Sequence, residues 1–462
     1  MKRYIAVFLA VLISAVACLC VISGDISDEK DKIEITERTL YGDRVFALGA
    51  VVDVATRYGY HLFWNTRYTV GETGVSETEF DFYASDKREN SAPAYGGVYM
   101  YTDLNFSTNL DTPTEQLSGL SKAYREIYDE CPEGQSVTRT VYLKDYYDFY
   151  PLNIRFDLPD ISWTSITHSG DQLYVKQRFE EFFSIPVSAD DTTVLTVARQ
   201  QWGNVSATSG HNGSNYGVGA TSAYADGRCF FAINIRDSLG NAVDTSHIPG
   251  GYGIYAFDFD RGIGMEDTGI DADSLSMVYS LDTSVAVDRM WMSDDGERLL
   301  ILATEKGDIV FIAVDVATME TVSRLTLGAK DYMYAFELDC GVVVKFENRV
   351  VLICADNQGE YSIKIDAADL VSYDENYNNI HSSASMDYDG ERLVIMDALG
   401  DPLRGADYKC SFYIAVYGCD GLLYYGEYEH SLDRHTGGSY GTSCVPNDTE
   451  AFKVSWNPGG AE

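Results

Sequence analysis

The stretch Asp295-Gly296-Glu297-Arg298-Leu299-Leu300-Ile301-Leu302 places a tight turn directly before an apolar strand. Its first five residues recur unchanged at 389–393, and looser versions carry a turn glycine at Gly170, Gly227 and Gly341. An Asp-Gly pair before an apolar run is a strong local signal for a β-hairpin. The repetition predicts a chain built from small antiparallel sheets.

The residues after Leu302 complete one such sheet. A turn at Gly307 and two strand-like runs, 309–316 and 321–327, follow the first strand. This gives about four strands in about 45 residues, which is the period of a propeller blade. In this respect the region 165–430 resembles WD-repeat-like and related bacterial β-propellers, although it lacks the Gly-His and Trp-Asp signatures of WD repeats. The resemblance implies an all-β propeller of about seven four-stranded blades, with six or eight as alternatives.

Both ends of the predicted propeller, 39–462, carry strand signals. The run 41–46 repeats the turn phrase and predicts a further blade near the start, while 451–456 reads as a last strand. Adding a chain-end strand to the first blade would close the ring and remove exposed edges. The segments 40–43 and 61–66 also resemble uncharacterised exported proteins of Gram-positive anaerobes, a likeness that implies no activity.

One helix interrupts the strands at about 112–131. Thr112-Pro113-Thr114-Glu115 has the pattern of a capping box with proline at the first helical position, and Pro132 ends the run. Leu117, Leu120, Tyr124, Ile127 and Tyr128 form one apolar stripe. We expect a helical insertion that packs against the propeller.

The N-terminal residues 1–24 form a hydrophobic segment. Ile5–Ile22 carries no charge, Lys2 and Arg3 precede it, and acidic residues follow in the linker 25–38. Such a run can span a bilayer, and its charge flanks place the later residues outside the cytoplasm. The sequence therefore predicts a cell-membrane protein whose main domain is extracytoplasmic.

Three fates of this segment are open. The length of the apolar run favours a retained signal anchor. Ala15-Val16-Ala17-Cys18 resembles a bacterial lipoprotein signal, in which Cys18 would carry the lipid and tether the domain instead. Simple cleavage at the same small-residue triplet is the third fate.

The net charge of the chain restricts the classes of molecule that it can bind. The chain has 71 acidic and 34 basic residues and a formal net charge of −37. A field of that sign repels nucleic acids and anionic membrane surfaces, and leaves cationic peptides, basic protein surfaces and calcium compatible. The alternative is that the acids only keep the protein soluble.

The nine cysteines include Cys18 and Cys20 in the apolar segment, and the remaining number is odd. Cys340 and Cys354 are equidistant from Glu347, where a hairpin would turn. They could therefore face each other across two strands and form a disulfide, with buried thiols as the alternative.

Motifs for chemistry are weak. Gly437–Gly441 matches a nucleophile elbow around Ser439, but no helix signal and no later histidine follow, so we assign no catalytic residue. The run 427–435 collects several potential metal ligands, yet without helical spacing, and we assign no metal site there. No residues are assigned to a ligand.

Two acidic turns and one polar loop are the remaining candidates for a ligand site. Asp258-Phe259-Asp260-Arg261-Gly262 and Asp271-Ala272-Asp273 begin like calcium loops but lack the later ligands of an EF-hand, so no cofactor is expected and calcium stays an open alternative. The glycine-rich run 203–219 is not a phosphate cradle and reads as a binding loop or a tolerated insertion.

We therefore expect a tethered propeller that binds or scaffolds a protein, peptide or glycan, and no nucleic acid. This hypothesis is non-enzymatic, and the sequence leaves catalysis open. One alternative is a cell-surface carbohydrate-active hydrolase that uses two paired carboxylates. Another is an assembly factor for envelope proteins, because the fold alone does not choose between functions.

Overall fold

The structure is a computed structural model of the 462-residue chain. It describes residues 2–30, 34–58, 62–71, 75–81, 97–102, 104, 113, 116–158, 161–162, 170–199, 205–211, 217–225, 227–236, 248, 250–260, 269–329, 332–369, 384–398, 411–430, 442–444 and 452–456. The chain divides into two compact units: unit 1 comprises Met1–Asn90 and Asp331–Glu462, and unit 2 comprises Ser91–Lys330.

Three α-helices lie within the described residues: α1 (Lys2–Lys30), α2 (Gly119–Glu130) and α3 (Gly170–Phe183). Short 3-10 helices span Arg44–Ala47 and Leu143–Asp145. The remaining elements are strands.

In chain order the strands are β1 (Ile35–Gly42), β2 (Ala50–Tyr58), β3 (Leu62–Thr69), β4 (Val75–Asp81), β5 (Gly97–Thr102), β6 (Ser136–Tyr142), β7 (Leu152–Leu158), β8 (Ile161–Ser162), β9 (Thr192–Arg199), β10 (Val205–His211), β11 (Gly217–Ala225), β12 (Arg228–Arg236), β13 (Gly253–Phe259), β14 (Ile270–Ser280), β15 (Val285–Met292), β16 (Arg298–Glu305), β17 (Asp308–Asp315), β18 (Thr321–Ala329), β19 (Tyr332–Leu338), β20 (Gly341–Phe346), β21 (Arg349–Ala355), β22 (Tyr361–Ala368), β23 (Ser385–Tyr388), β24 (Leu393–Ala398), β25 (Ser411–Gly418), β26 (Gly421–His430), β27 (Thr442–Cys444) and β28 (Phe452–Trp456). Every pairing between them is antiparallel, within the residues described.

Helix α1 contains the apolar window Val7–Gly24, with a mean hydropathy of 2.7 and no burial. It is long and apolar enough to cross a membrane, and a signal sequence near an N-terminus has the same properties. The predicted apolar segment is thus a helix, while its fate stays a prediction.

The two ends of the chain complete each other's sheets in unit 1. The "first sheet" contains β2, β3 and β4, and the last strand, β28, pairs with β2 so that Val454 lies opposite Val52. The "last sheet" has the order β1-β26-β25-β24-β23, so the first strand of the chain pairs with β26. The predicted C-terminal strand on the first sheet is confirmed, and β1 makes the reverse addition. These pairings cover backbone groups of β2 and β26 that would otherwise be unpaired.

Unit 1 also contains the four-stranded sheet β19-β20-β21-β22. Strands β20 and β21 turn between Lys345 and Val350, at the predicted Glu347–Asn348 position. Val343, Leu352 and Ile365 of this sheet pack in one core cluster with Leu393 and Tyr413 of the last sheet. The hydrophobic contact joins consecutive sheets within the unit.

Unit 2 contains the four-stranded sheet that the opening stretch predicts. The order β15-β16-β17-β18 follows the chain, and the turn glycines Gly296 and Gly307 have positive φ, at 71° and 95°. Strand β16 is buried along Leu299–Ala303 on both faces. A strand covered on both faces reads as a continuous apolar run, which explains why its pattern does not alternate.

Two further sheets belong to unit 2. One has the order β14-β13-β12-β11-β5-β7-β8, and the other has the order β10-β9-β6. Helix α2 contacts β6 and β9, and α3 contacts β14. Phe156, Phe179, Phe231 and Phe257 join α3 and the longer sheet in one aromatic core.

Four local predictions were wrong. Gly170 does not form a turn before a strand but begins α3, because Val175, Phe179 and Phe183 at four-residue spacing bury one helical face. The insertion helix begins at Gly119, not at Pro113, although its end before Pro132 agrees with the prediction.

The other two concern loops and turns. The phrase at 41–46 leads from Gly42 into the 3-10 helix and not into a strand. Asp43 is the N-cap of that helix, and its side chain accepts a hydrogen bond from the Val45 amide. Within 203–219, residues 205–211 and 217–219 belong to β10 and β11, so most of the predicted loop is strand.

Candidate binding site

An open groove of about 740 Å³ lies at one end of the strands of unit 2. We call it the acidic groove. It is lined by Ala225, Gly227, Arg228, Phe230, Asp258, Phe259, Asp260, Gly269, Ile270, Asp271, Gly296 and Val316. These residues come from the adjacent ends of β11 to β14, from the β15–β16 turn and from the end of β17. The groove therefore lies between two sheets of one unit.

The groove combines an apolar floor with charged walls. Phe230, Phe259 and Ile270 are at least nine-tenths buried, whereas Asp258 and Asp271 are exposed. Such a surface offers contact area for hydrocarbon and carboxylates for a positive charge. A long basic side chain has both parts, an apolar stem and a charged end.

Strand pairing creates the row of charges. Arg228 lies opposite Asp258 between β12 and β13, and Asp258 lies opposite Asp271 between β13 and β14. Arg228 Nε lies 3.5 Å from Asp258 Oδ1, and its guanidinium lies 5.4 Å from the centre of the Phe230 ring. One arginine thus partly balances three aspartates in the lining.

The turn at Gly227 needs glycine to form this wall. Its φ is 78°, and a Cβ there would lie 2.9 Å from the carbonyl oxygen of Phe259. The Phe259 amide also donates to the Gly227 carbonyl oxygen at 2.7 Å. A side chain at this position would strain the backbone and separate β12 from β13.

Helix α3 fixes the outer side of β14. The Tyr174 hydroxyl donates to Asp273 Oδ1 at 2.5 Å, and this hydrogen bond raises the pKa of Tyr174. Arg178 Nε lies 3.9 Å from the same carboxylate oxygen. The Asp273 amide donates to Asp271 Oδ1 at 3.1 Å, which orients the groove carboxylate. Asp273 therefore contacts α3, whereas Asp271 lines the groove.

The structure brings both predicted calcium-like turns to this groove through Asp258, Asp260 and Asp271. Gly262, the end of the first turn, lies outside the described residues. Among the residues described, no group of three or more His, Cys, Asp or Glu side chains is arranged to hold a metal ion. Calcium stays a prediction without a ligand set.

The other candidate residues are dispersed. Glu427 lies on β26 and forms an ion pair with Arg38 of β1. Asp433, His435 and Ser439 lie outside the described residues. The sequence run 427–435 therefore gives no ligand set in the described chain.

The tyrosine-rich run 146–150 is mainly structural. Tyr150 is buried and donates to Asp191 Oδ2 at 2.6 Å, while Tyr147 accepts from the Leu120 amide at 2.8 Å at the start of α2. Burial and the hydrogen bond to Glu126 raise the pKa of Tyr146 to about 12. Phe149 is the exposed ring of this run.

Cys340, directly before β20, faces Cys354 on β21, with their Cα atoms 4.9 Å apart and their sulfur atoms at bonding distance. Cys131 and Cys229 are buried free thiols, and burial raises the pKa of Cys229. Cys18, the predicted lipid attachment residue, is exposed on α1. Oxidation of the first pair and lipidation of Cys18 both stay predictions.

Sequence reasoning found the acidic turns but missed Arg228 as their counter-charge. The turn phrase 226–230 marked its position, yet only the register of β12 against β13 shows that it faces Asp258. The groove floor gave no separate signal, because its apolar residues read as ordinary strand positions.

No protein-family model matches this chain. No curated protein matches it either. Among solved structures, it is similar to a protein from Lactobacillus plantarum (9% identity, TM-score 0.26, covering 80% of this chain and 92% of that one). It is also similar to TolB from Acinetobacter baumannii (10% identity, TM-score 0.23, covering 88% and 82%).

A third similar structure is the β-propeller domain of Swd1 from Myceliophteria thermophila (11% identity, TM-score 0.24, covering 64% of this chain and 87% of that one). All three TM-scores are below 0.5. The fold described above therefore rests on the sheets and strand pairings of this chain alone.

Proposed function

We propose that this chain is a membrane-tethered, extracytoplasmic β-propeller of about seven blades that binds or scaffolds a protein, peptide or glycan. The observation that carries the proposal is the reciprocal addition of β28 to the first sheet and of β1 to the last sheet. A propeller can close in this way, and closure yields a rigid body with loops at its two faces. Rigid scaffolds with exposed loops are suited to binding.

The tether is proposed from α1. Its apolar window is unburied, and Lys2 and Arg3 precede it. Positive residues on this flank favour a cytoplasmic N-terminus and an outward domain. A disulfide between the facing cysteines Cys340 and Cys354 would support the same placement, because structural disulfides persist in oxidising compartments.

The acidic groove is the proposed contact site, and a basic peptide segment is the proposed ligand. The apolar floor would take the stem of a lysine or arginine, while Asp260 and Asp271 would meet its charge. The net charge of −37 would also attract such a ligand over a distance that salt shortens.

The experiment measures binding of two synthetic peptides to the full chain in nanodiscs. One is an eight-residue peptide with two arginines, and the other carries glutamates at the same places. We expect binding of the first only, weakened at least 3-fold by Asp271→Asn and by added salt. Asp308→Asn, an exposed change at the start of β17, is the matched control and should leave affinity unchanged.

Equal binding of both peptides, or an Asp271→Asn variant that binds as well as the parent, would reject the groove as the site. Retention of an oligosaccharide with release of shorter sugars would instead favour the hydrolase alternative. For the tether, protease added to intact cells should digest the large domain. Protection of that domain until the cells are lysed would reject the outward placement.

A further inference from the structure

Strand β1 buries less of its surface in the last sheet than the inner strand β25 does. Of its eight residues, Ile35 and Glu37 are partly buried and the other six are exposed, with Leu40 and Tyr41 exposing 37% and 43% of their surface. Strand β25, by contrast, is buried from Phe412 to Tyr417. Because apolar burial is the main favourable term in folding, β1 gains less from it than β25 does.

Polar contacts of Glu37 replace that burial. Its side chain is 13% exposed, and its carboxylate accepts from Arg44 Nε at 2.9 and 2.8 Å. The Tyr424 hydroxyl donates to Glu37 Oε1 at 2.8 Å, and the Tyr68 hydroxyl lies 3.3 Å from Oε2. Tyr424 and Tyr428 share a further hydrogen bond of 2.8 Å. One carboxylate on β1 thus links β3, β26 and the 3-10 helix.

Two further contacts of β1 lie at the surface. Arg38 pairs with Glu427, and the Arg38 side chain is 69% exposed. Thr36 Oγ1 donates to the Glu429 carbonyl oxygen at 3.4 Å. Exposed pairs of this kind contribute little, since water and salt screen them.

We propose that β1 is a detachable strap: it opens from β26 in a local event that leaves the rest of unit 1 folded, and Glu37 controls how often it opens. Opening costs the β1–β26 backbone ladder, the Glu37 contacts and the packing of Ile35 against the core, but no fully buried apolar side chain of β1. It leaves β26 as an edge strand with unpaired backbone groups. Such low-cost openings are a known class of native-state motion.

The position of β1 in the chain gives the strap a role. Only residues 31–34 separate α1 from β1. If the proposed tether is correct, a pull on the membrane anchor reaches β1 before any other strand, beginning at the Ile35–His430 pair. The opening itself does not depend on the tether, so the two proposals can fail separately.

Hydrogen exchange of the full chain in nanodiscs, read by mass spectrometry, tests the strap. In the parent protein, amides of β1 should exchange before those of β24 and β25. Glu37→Gln keeps the shape but removes the charge, so it should speed exchange of β1 about 10- to 100-fold. Peptides from β19 to β22 should keep their parent rates.

Arg38→Gln is the matched control, because it removes a charged side chain from the same strand at the exposed position next to Glu37. Its effect on β1 exchange should stay below about 5-fold. Equal protection of β1 and β25 in the parent would overturn the proposal without any variant. So would an exchange increase in Glu37→Gln that is uniform over unit 1, because that pattern is global unfolding.

Discussion

The Tyr424 hydroxyl donates a 2.8 Å hydrogen bond to Glu37, a residue 387 positions earlier in the chain. The two residues join β26 to β1, the strand that follows the N-terminal helix. Tyr424 is fully buried, and burial raises its pKa. The contact therefore ties the two ends of the chain in a largely buried place.

Removing this hydroxyl should destabilise the protein. Tyr424→Phe keeps the ring but leaves Glu37 and Tyr428 each without one hydrogen-bond partner, at a cost of about 1 to 3 kcal/mol. Urea denaturation followed by tyrosine and tryptophan fluorescence measures the free energy of unfolding. Tyr142→Phe, at an exposed ring, is the control and should change it by less than about 0.5 kcal/mol. Equal effects of the two variants would show that the Tyr424 contact contributes nothing.

Alkaline pH should destabilise the fold through its buried phenols. Burial raises the pKa of Tyr255 to about 12, and it also raises the pKa of Tyr68 and Tyr428. In the unfolded chain these groups ionise near pH 10, so their contribution is complete below that pH and disappears as pH rises toward 12.

Phenolate absorbance should therefore show two groups of tyrosines, one titrating near pH 10 and one that titrates only with unfolding. Tyr255→Phe should reduce the loss of stability between pH 10 and 12. A single titration near pH 10 with the fold intact would contradict this prediction.

Lys345 and Asp369 form an ion pair of 2.9 Å in which both side chains are fully buried. Asp369→Ala leaves the lysine charge without its partner and should cost about 3 to 5 kcal/mol. The double change Lys345→Met with Asp369→Leu removes both charges and should recover most of that loss. Thermal unfolding of the three proteins gives the comparison.

The control for this pair is Asp53→Ala, which removes the partner of Arg67 in an exposed ion pair. That change should cost less than about 1 kcal/mol, because solvent screens the attraction. If breaking the exposed pair lowered the free energy of unfolding as much as breaking the buried pair, burial would not explain the loss expected for Lys345 and Asp369.

Two aspartates at turns, Asp356 and Asp315, should lose their stabilising effect in acid. The amides of Gln358 and Glu360 donate to Asp356, and these hydrogen bonds lower the pKa of its carboxyl group. The hydrogen bond from the Thr318 amide lowers the pKa of Asp315 in the same way. A carboxylate whose pKa is lowered by folding stabilises the fold at pH values above its unfolded pKa near 4. This contribution is lost as the pH falls through the lower pKa of the folded state. The difference in Tm between the parent and Asp356→Asn should therefore shrink from pH 6 to pH 2. A difference that stays constant with pH would rule out this cause.

Local patterns in the sequence predicted the local parts of the fold. The sheet at 285–329 was predicted because its turns carry glycine where φ is positive, as at Gly296, and its strands are continuous in sequence. Gly170 was wrong because a turn phrase of five residues was weighed without the helical spacing of Val175 and Phe179. Short phrases cannot separate a hairpin from a helix start.

The candidate site depended on long-range register. Asp258 and Asp271 were visible as acidic turns, but their alignment with Arg228 follows from pairing across three strands. Shifting one strand by a single residue would turn the side chains to the other face. The contact between Glu37 and Tyr424 was unpredictable for the same reason.

The central claim is that strands from the two ends of the chain complete each other's sheets, because the proposed tethered platform depends on that closure. Asp53 of β2 and Lys453 of β28 are directly opposite, and Lys453 is exposed. Carbodiimide treatment of the native protein should join this carboxylate and amine, and mass spectrometry should identify the linked peptide. Lys453→Gln should abolish it. A link from Lys453 to other acids but never to Asp53 or its strand would contradict the closure.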